Sequence, residues 1–264
     1  MPNRSVDVTI SLVSYNQRYD IERLLPSLLN AAAHVRAEIF LVDCNSNDGT
    51  VQFVHEQFPE VDVFVNLKRA GYGENHNINL ERGKGCYFVI MNTDMIVAQD
   101  TFTNLLEFID KHDDIGIVSP EILNEDGTVQ GLNKRYPTIT DLFIRRFFPR
   151  YFSQFPIVRK RLDYYEMRDI GYDQILDVPC LSGSFMFCRT DLLRKLRGFN
   201  QKYFLYFEDF DLCRRVQKTH RTVYNPCASV THFWKRDAHF NWVFAYYFMR
   251  SAFLYFNRWG YKFI

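Results

Sequence analysis

Apolar and polar positions along the first half of the chain keep two alternating rhythms. Val8 to Val13 is an apolar, β-branched run that predicts a buried strand. From Asp20 to Ala33 the apolar positions Ile21, Leu24, Leu25, Leu28 and Leu29 recur at helical spacing. Ile39 to Val42 predicts a second strand. Asp48-Gly49-Thr50 then opens a helix carrying Val51, Val54 and Phe58, with Asp48 as its expected N-cap. Val61 to Val65 reads as a third strand, and Gly71-Tyr72-Gly73 breaks the chain before a polar helix that ends near Gly83. Tyr87 to Met91 predicts a fourth strand, Thr101 to Lys111 a helix and Ile115 to Val118 another strand, with a turn at Asn124-Glu125-Asp126-Gly127. Strands alternating with helices of this length predict right-handed βαβ units, and so an α/β fold with a mainly parallel central sheet flanked by helices.

After about residue 132 the rhythm changes. Residues 134–168 hold nine Lys and Arg against three acids, interleaved with Phe143, Phe147, Phe148, Tyr151, Phe152 and Phe155. Alternation returns from Leu176 to Phe187, followed by a helix from Asp191, an acidic aromatic stretch at 203–213 and an aromatic, basic tail from Phe240 to Ile264. The two basic aromatic segments raise the expectation of an anionic membrane surface as a partner, with Lys and Arg on phosphate and aromatic rings at the interface. Packing of the same rings on the sheet is the alternative.

Composition narrows the picture. The 264 residues are 47% hydrophobic and 24% charged, as in ordinary globular proteins, and suffice for a substantial core. The formal net charge of +1 gives no global field for nucleic acid. The six cysteines form no C-x-x-C pair and no zinc-type spacing with His, so buried free thiols in a reducing cytoplasm are expected. The N-terminal residues lack the apolar stretch of a signal peptide, and no apolar run approaches the roughly 20 residues that span a bilayer.

Candidate chemistry clusters at strand ends. Ser14-Tyr15-Asn16, Asp43 to Thr50, Gly71 to Asn77 and Asn92-Thr93-Asp94 each follow one of the first four strands, and on a parallel sheet all four converge on one edge. Helix N-termini there offer N–H groups to a phosphate. Asp43 could accept hydrogen bonds from a base or ribose, and Asp94 could hold a divalent metal that in turn holds a diphosphate. Singly, each cluster also reads as ordinary turn chemistry. In the second half, Glu208, Asp209 and Asp211 lie within four residues among Phe204, Tyr206, Phe207 and Phe210. This is a favourable helix N-terminus, and it is also a set of desolvated carboxylates whose pKa would rise towards that of a base. Ser182-Gly183-Ser184 allows close backbone approach to a ligand, or a bulge. His232 ends a short apolar run; as a metal ligand it would need Asp94 nearby.

Taken in order, Val13-Ser14-Tyr15-Asn16, Val42 to Thr50, Asn92-Thr93-Asp94, Ser182 to Met186, Gly198-Phe199-Asn200, Tyr206 to Leu212 and His232 resemble the family-2 glycosyltransferases of GT-A fold. The resemblance is to the rhamnosyltransferase-like subgroup of bacterial surface-polysaccharide assembly. It implies one catalytic domain over residues 1–264, with a nucleotide-sugar half to about 131, and beyond it a smaller acceptor half ending in C-terminal aromatic helices. Ser14, Tyr15, Asn16, Asp43, Asn45, Gly73, Asn75, Asn92 and Thr93 would contact the nucleoside-diphosphate sugar, dTDP-rhamnose or a UDP-sugar. Asp94 and His232 would bind Mg²⁺ or Mn²⁺, Asn92 standing where the family often has a further acid. Asp209, beside Glu208, would be the general base, and Ser182, Gly183, Ser184 and Asp211 would meet a glycan or polyprenyl-diphosphate-linked glycan acceptor. The implied setting is cytoplasmic, peripheral to the inner face of the membrane. Asn200 and Cys44 depart from the subgroup's usual residues. A nucleotidyltransferase would want a Gly-rich, Lys- or Arg-bearing loop after the first strand, which Ser14-Tyr15-Asn16-Gln17 does not offer. A non-catalytic binding module on the same fold is the other alternative.

Overall fold

The computed structural model describes residues 6–147, 155–233 and 242–263. Phe148, Arg150, Tyr151 and Phe152 of the basic aromatic segment, Phe240 and Ile264 of the tail, and the side chains of Arg146 and Phe147 lie outside the described set. The strands are β1 (Val8–Ser14), β2 (Ala37–Asp43), β3 (Val61–Val65), β4 (Tyr87–Met91), β5 (Met95–Val97), β6 (Ile115–Leu123), β7 (Leu176–Asp177), β8 (Phe185–Arg189) and β9 (Arg221–His232). The helices are α1 (Arg18–Ala32), α2 (Thr50–Gln57), α3 (Tyr72–Arg82), α4 (Thr101–Asp110), α5 (Ile139–Phe147), α6 (Pro156–Tyr165), α7 (Thr190–Lys195), α8 (Glu208–Val216) and α9 (Trp242–Trp259).

One sheet runs through both halves in the order β3-β2-β1-β4-β8-β6-β9-β5, with β7 on β9. The first four strands are parallel, as the βαβ rhythm predicts. Beyond β4 the sheet is mixed: β8 is antiparallel to both β4 and β6, and β5 and β7 are antiparallel to β9. The parallel expectation therefore holds for the first four strands and for the β6–β9 pair. These antiparallel pairings join segments far apart in sequence, which local periodicity does not report. The chain moves from β1 outward to β2 and β3, then crosses back to β4. The C-terminal ends of β1 and β4 thus flank a topological switch point, where open α/β sheets bind ligands.

Alternate residues of the central strands face two cores. Ile10, Leu12, Val89 and Met91 pack under α1 and α4, while Phe88, Ile90, Met186 and Cys188 pack under α3, α7 and α8. Helix α3 is polar because its floor is polar. His76 Nδ1 lies 2.7 Å from the Ser11 hydroxyl of β1, and Asn79 donates to the same oxygen at 2.9 Å. Burial pushes the His76 pKa down to about 3, so that ring is neutral. A third core gathers Leu142 of α5, Tyr203, Phe207 and Phe210 around Ala252, Tyr255 and Phe256 of α9, the one C-terminal helix among the described residues. Asp48 is not the expected N-cap but precedes it: Gly49, in a left-handed conformation at φ 82°, holds the N-cap position of α2. The Asp48 carboxylate still accepts from the Thr50 amide at 3.1 Å.

Candidate active site

The four polar clusters meet at the C-terminal edge of β1–β4. Ser14 and Asp43 are register partners, and the Ser14 hydroxyl donates to the Asp43 carboxylate at 2.8 Å. The Ser46 amide and hydroxyl donate to the same carboxylate, each at 2.7 Å. The Asn16 amide donates to the Ser46 hydroxyl at 2.8 Å, and the Asn47 amide to the Asn16 side chain at 2.9 Å. Asn16 and Asn45 hold left-handed backbone at φ 51° and 61°, which asparagine tolerates better than most residues.

This geometry revises three expected donor contacts. Asp43 is fully buried and spends its lone pairs on Ser14 and Ser46, so it organises the edge instead of presenting a carboxylate to a base. Asn75 is buried, donating to Gly71 carbonyl oxygen at 2.9 Å and accepting from Asn66 at 2.7 Å. Gly73 packs against Phe199, where a Cβ would come within 2.6 Å of that ring's own Cβ. Tyr15, Asn16 and Asn45 are the predicted donor residues that stand exposed at the edge. Thr93 is buried, its hydroxyl without a hydrogen-bond partner among the described residues.

Asp94 and His232 do come together. Met95 and His232 pair across β5 and β9, which brings His232 Nε2 to 3.2 Å from Asp94 Oδ1. The imidazole's tautomer follows from its neighbours. The Gln130 amide nitrogen donates to the His232 carbonyl at 2.6 Å and to the Leu123 carbonyl at 3.3 Å, so its oxygen is left to accept from His232 Nδ1 at 2.9 Å. On the other side the Tyr72 hydroxyl reaches the Asn92 side-chain oxygen at 2.9 Å, leaving the Asn92 NH₂ to face Nε2 at 3.4 Å. With Nδ1 donating to Gln130, a neutral ring presents its Nε2 lone pair beside a carboxylate oxygen, an arrangement a cation completes. Their separation suits neighbouring ligands of an octahedral ion with bonds of about 2.1 Å. Gln130 is the outer partner that fixes the ring. No group of three or more His, Cys, Asp or Glu side chains able to hold a metal occurs among the described residues. A metal here would take its remaining ligands from substrate or water.

Asn92, Tyr72 and His232 also line a cavity of about 330 Å³ that opens towards the second half. Its walls include Leu132, Leu142, Leu205, Phe207, Phe244 and Phe248, and its polar groups include Lys134, Arg145, Glu208 and Asp209. Two consecutive aromatic residues, Tyr206 and Phe207, hold left-handed backbone at φ 69° and 66° just before α8. Such a conformation costs about 1–2 kcal/mol per residue. The Phe207 ring is held by Phe210, Phe248 and Tyr255, with centroids 5.3–5.6 Å away. The bend places Glu208 and Asp209 in the first turn of α8, on the cavity wall.

The two acids differ. Asp209 accepts from the Gly183 amide at 3.0 Å and the Phe210 amide at 2.8 Å, and the Lys134 charge favours its ionised form; burial still raises its pKa. Glu208 Oε2 has no partner among the described residues, and burial together with the charge of Asp209 pushes its pKa up to about 8. Burial thus raises both carboxylates, and the donors and the Lys134 charge around Asp209 favour its ionised form where Glu208 has no such help among the described residues. Gly183 leaves room for this contact, since a Cβ there would lie 3.2 Å from the Asp209 Cβ. Ser182, Gly183 and Ser184 line the cavity, and the Ser184 carbonyl accepts the Asn92 amide at 2.9 Å. The expected role of Asp211 is corrected. It is fully buried and does not line the cavity; its carboxylate binds Arg215 at 2.8 Å, Trp259 at 3.0 Å and Arg258 at 3.2 Å, fastening α8 to α9.

Sequence reasoning missed Tyr72, Gln130 and Lys134. Tyr72 was visible only as the middle of a Gly-Tyr-Gly break, yet its hydroxyl reaches both Asn92 and the Gly183 carbonyl, at 2.9 and 3.0 Å, and so links the Asp94 edge to the Asp209 wall.

The switch-point edge, the Asp94–His232 pair and the cavity with its buried carboxylates thus adjoin one another through Tyr72. The chain belongs to the glycosyltransferase like family 2, whose family model matches residues 4–251. It is 27% identical over 236 residues to the N-acetylglucosaminyl-diphospho-decaprenol L-rhamnosyltransferase of Mycobacterium tuberculosis (strain ATCC 25618 / H37Rv), covering 83% of this chain and 74% of that protein. It is 22% identical over 262 residues to the rhamnosyltransferase WbbL of Escherichia coli (strain K12), covering 95% and 93%. Among solved structures it resembles GalNAc-T7 with UDP, GalNAc and Mn²⁺ (TM-score 0.65, 17% identity, 89% of this chain and 45% of that one). It also resembles the mannosyltransferase PcManGT from Pyrobaculum calidifontis in complex with GDP-Man and Mn²⁺ (TM-score 0.60, 19% identity, 90% and 60%). The chain thus spans about half the length of the solved structures it matches. Family membership favours sugar transfer over nucleotidyl transfer or a non-catalytic module.

Proposed function

We propose that the protein moves a sugar, with inversion at the anomeric carbon, from a nucleoside-diphosphate sugar to a hydroxyl of a polyprenyl-diphosphate-linked glycan in bacterial surface-polysaccharide assembly. The observation that carries this reading is Asp209: a desolvated carboxylate, held by the Gly183 amide on a cavity wall that also contains His232. The two rhamnosyltransferase relatives favour a deoxyhexose donor such as dTDP-rhamnose, and the mycobacterial relative's name favours a diphosphate-linked N-acetylglucosamine acceptor.

The roles follow from the geometry. Exposed Tyr15, Asn16 and Asn45 would receive the base and ribose at an edge preset by Asp43. Asp94 and His232 would hold Mg²⁺ or Mn²⁺, whose charge offsets that of the leaving nucleoside diphosphate. Asp209 would accept the acceptor hydroxyl's proton as that oxygen bonds to the anomeric carbon and the bond to diphosphate breaks. Glu208, protonated, would donate a hydrogen bond to the acceptor sugar. Holding both substrates in line supplies much of the acceleration. A thermal-shift screen of nucleotide sugars tests the donor side: a diphosphate nucleotide should stabilise the protein with Mn²⁺ and much less in chelator. Equal stabilisation in both would contradict the metal corner.

The same reading places the protein on the cytoplasmic side, peripheral to the membrane. No helix among the described residues is long and apolar enough to cross a bilayer. Helix α9 carries Trp242, Tyr246, Met249 and Phe253 exposed on one face, and residues 242–263 contain Arg250, Arg258 and Lys262 but no acid. Flotation with anionic vesicles at low salt is the expected behaviour; a protein left in the bottom fraction would refute this placement.

A further inference from the structure

The cavity holds a second chemistry that proton abstraction does not use. Lys134 is 6% exposed and lines the wall. Its backbone is pinned to Cys180 by reciprocal hydrogen bonds of 3.0 and 2.9 Å, so the side chain enters from a fixed point. Its ammonium makes one long contact, 3.5 Å to the Leu132 carbonyl, and sits 5.9 Å from the Phe210 ring centroid. Among the described residues it forms no ion pair. A buried ammonium keeps three donors and a full charge that the protein alone leaves largely unanswered.

Arg145 lines the same cavity, 31% exposed, and is steadied by Glu166 at 3.9 Å. The two cations repel each other: burial and Arg145 lower the Lys134 pKa to about 8, and the opposing pull of Glu166 and Asp209 does not restore it. Two cations on the wall of a largely apolar chamber, with Asp209 reserved for a proton, form a receptor for an anion of more than one charge. The donor's diphosphate has its own corner at Asp94 and His232. The charges that act on Lys134 are those of Arg145, Glu166 and Asp209, on the acceptor side. The lining also includes Phe244 and Phe248 of α9, the helix that carries the exposed stripe of Trp242, Tyr246, Met249 and Phe253.

We propose that Lys134 and Arg145 bind the diphosphate of the acceptor, with its sugar against Asp209 and its hydrocarbon running along Phe244 and Phe248. This rests on the lipid-linked acceptor reading above and names the part of that acceptor the protein grips. It also explains how one short glycan could be selected: the charge pair measures the distance from diphosphate to reacting hydroxyl.

The test compares two acceptors of the same sugar, farnesyl-diphospho-N-acetylglucosamine and the neutral octyl N-acetylglucosaminide. In Lys134→Met the ratio of kcat/KM for the diphosphate acceptor to that for the neutral one should fall about tenfold or more, the loss expected for a desolvated charge-assisted contact. Arg145→Gln, at a more exposed position, should lower it less, and Lys134→Arg should recover part of it. An equal fall on both acceptors would assign Lys134 to keeping Asp209 ionised and overturn the proposal. So would a rise confined to the donor's KM. Loss of flotation on phosphatidylglycerol vesicles with the ratio unchanged would show the anion to be a phospholipid headgroup, again overturning it. If the wild-type protein uses neither acceptor, the functional reading fails separately. Farnesyl diphosphate in EDTA then decides: stabilisation of the wild type that is lost in Lys134→Met supports the site, and no stabilisation refutes it.

Discussion

The edge at the ends of β1–β4, proposed to take the donor, and the cavity beyond it are built on opposite terms. Around Asp43, Asn75 and Asn16, polar groups answer one another. Asp43 is closed by Ser14 and Ser46, Asn75 by Asn66 and Gly71, and Asn16 by Asn47 and Ser46. In the cavity, buried groups are left waiting: Glu208 Oε2 has no partner among the described residues, and Lys134 has one long contact. The edge spends its hydrogen bonds on fixing its own loops. The cavity keeps uncompensated charge and proton affinity available for a substrate. Local rules are satisfied around Asp43 and broken at Glu208 and Lys134, as expected where a protein reacts.

Three substitutions would break or sharpen this contrast. The largest effect is expected at the edge, where Asp43→Ala removes the acceptor of three hydrogen bonds and strands two serines. Stability in urea should fall by about 3 kcal/mol. A stable variant that had merely lost nucleotide affinity would make Asp43 a ligand contact and erase the distinction. Next, Gln130→Ala frees the His232 ring and should weaken Mn²⁺ binding by about 10–100-fold, read by titration of nucleotide-dependent stabilisation. Unchanged affinity would remove Gln130 from the metal corner. The smallest effect is at Glu208. Its folded pKa of about 8 lies above the ordinary 4.5, so the folded state holds the proton more tightly and stability is lost as pH rises between those values. Glu208→Gln should flatten that decline, raising Tm by on the order of 2–4 °C at pH 8–9 and by little near pH 5. A parallel shift at all pH values would mean that Glu208 is not the protonated partner.

Much of the site was legible in the sequence because each motif sits where a periodic element ends. Asn92 and Asp94 close β4, His232 closes β9, and Asp209 opens α8. What stayed hidden depended on distant partners. The insertion of antiparallel β8 between β4 and β6 joins segments nearly a hundred residues apart, so the βαβ rhythm of the first half could not foretell it. Lys134 and Gln130 lie in loop segments, where neither residue type signals chemistry until a cavity or a histidine is placed beside it. Asp211 misled for a geometric reason. Two positions along a helix are about 200° apart, so a carboxylate two residues after Asp209 faces away from the cavity and meets Arg215 and Trp259 instead.

The central claim is that Asp209 removes the acceptor's proton while the Asp94–His232 corner holds the leaving diphosphate. Asp209→Asn keeps the side chain's shape and its contact with Gly183 but not its basicity. In single-turnover transfer with Mn²⁺ and a nucleotide sugar that stabilises the wild-type protein, this variant should bind nucleotide with unchanged affinity. Its transfer should be slower by about 10²–10⁴-fold. Transfer within a few-fold of wild type, or loss of nucleotide binding in step with transfer, would contradict the assignment.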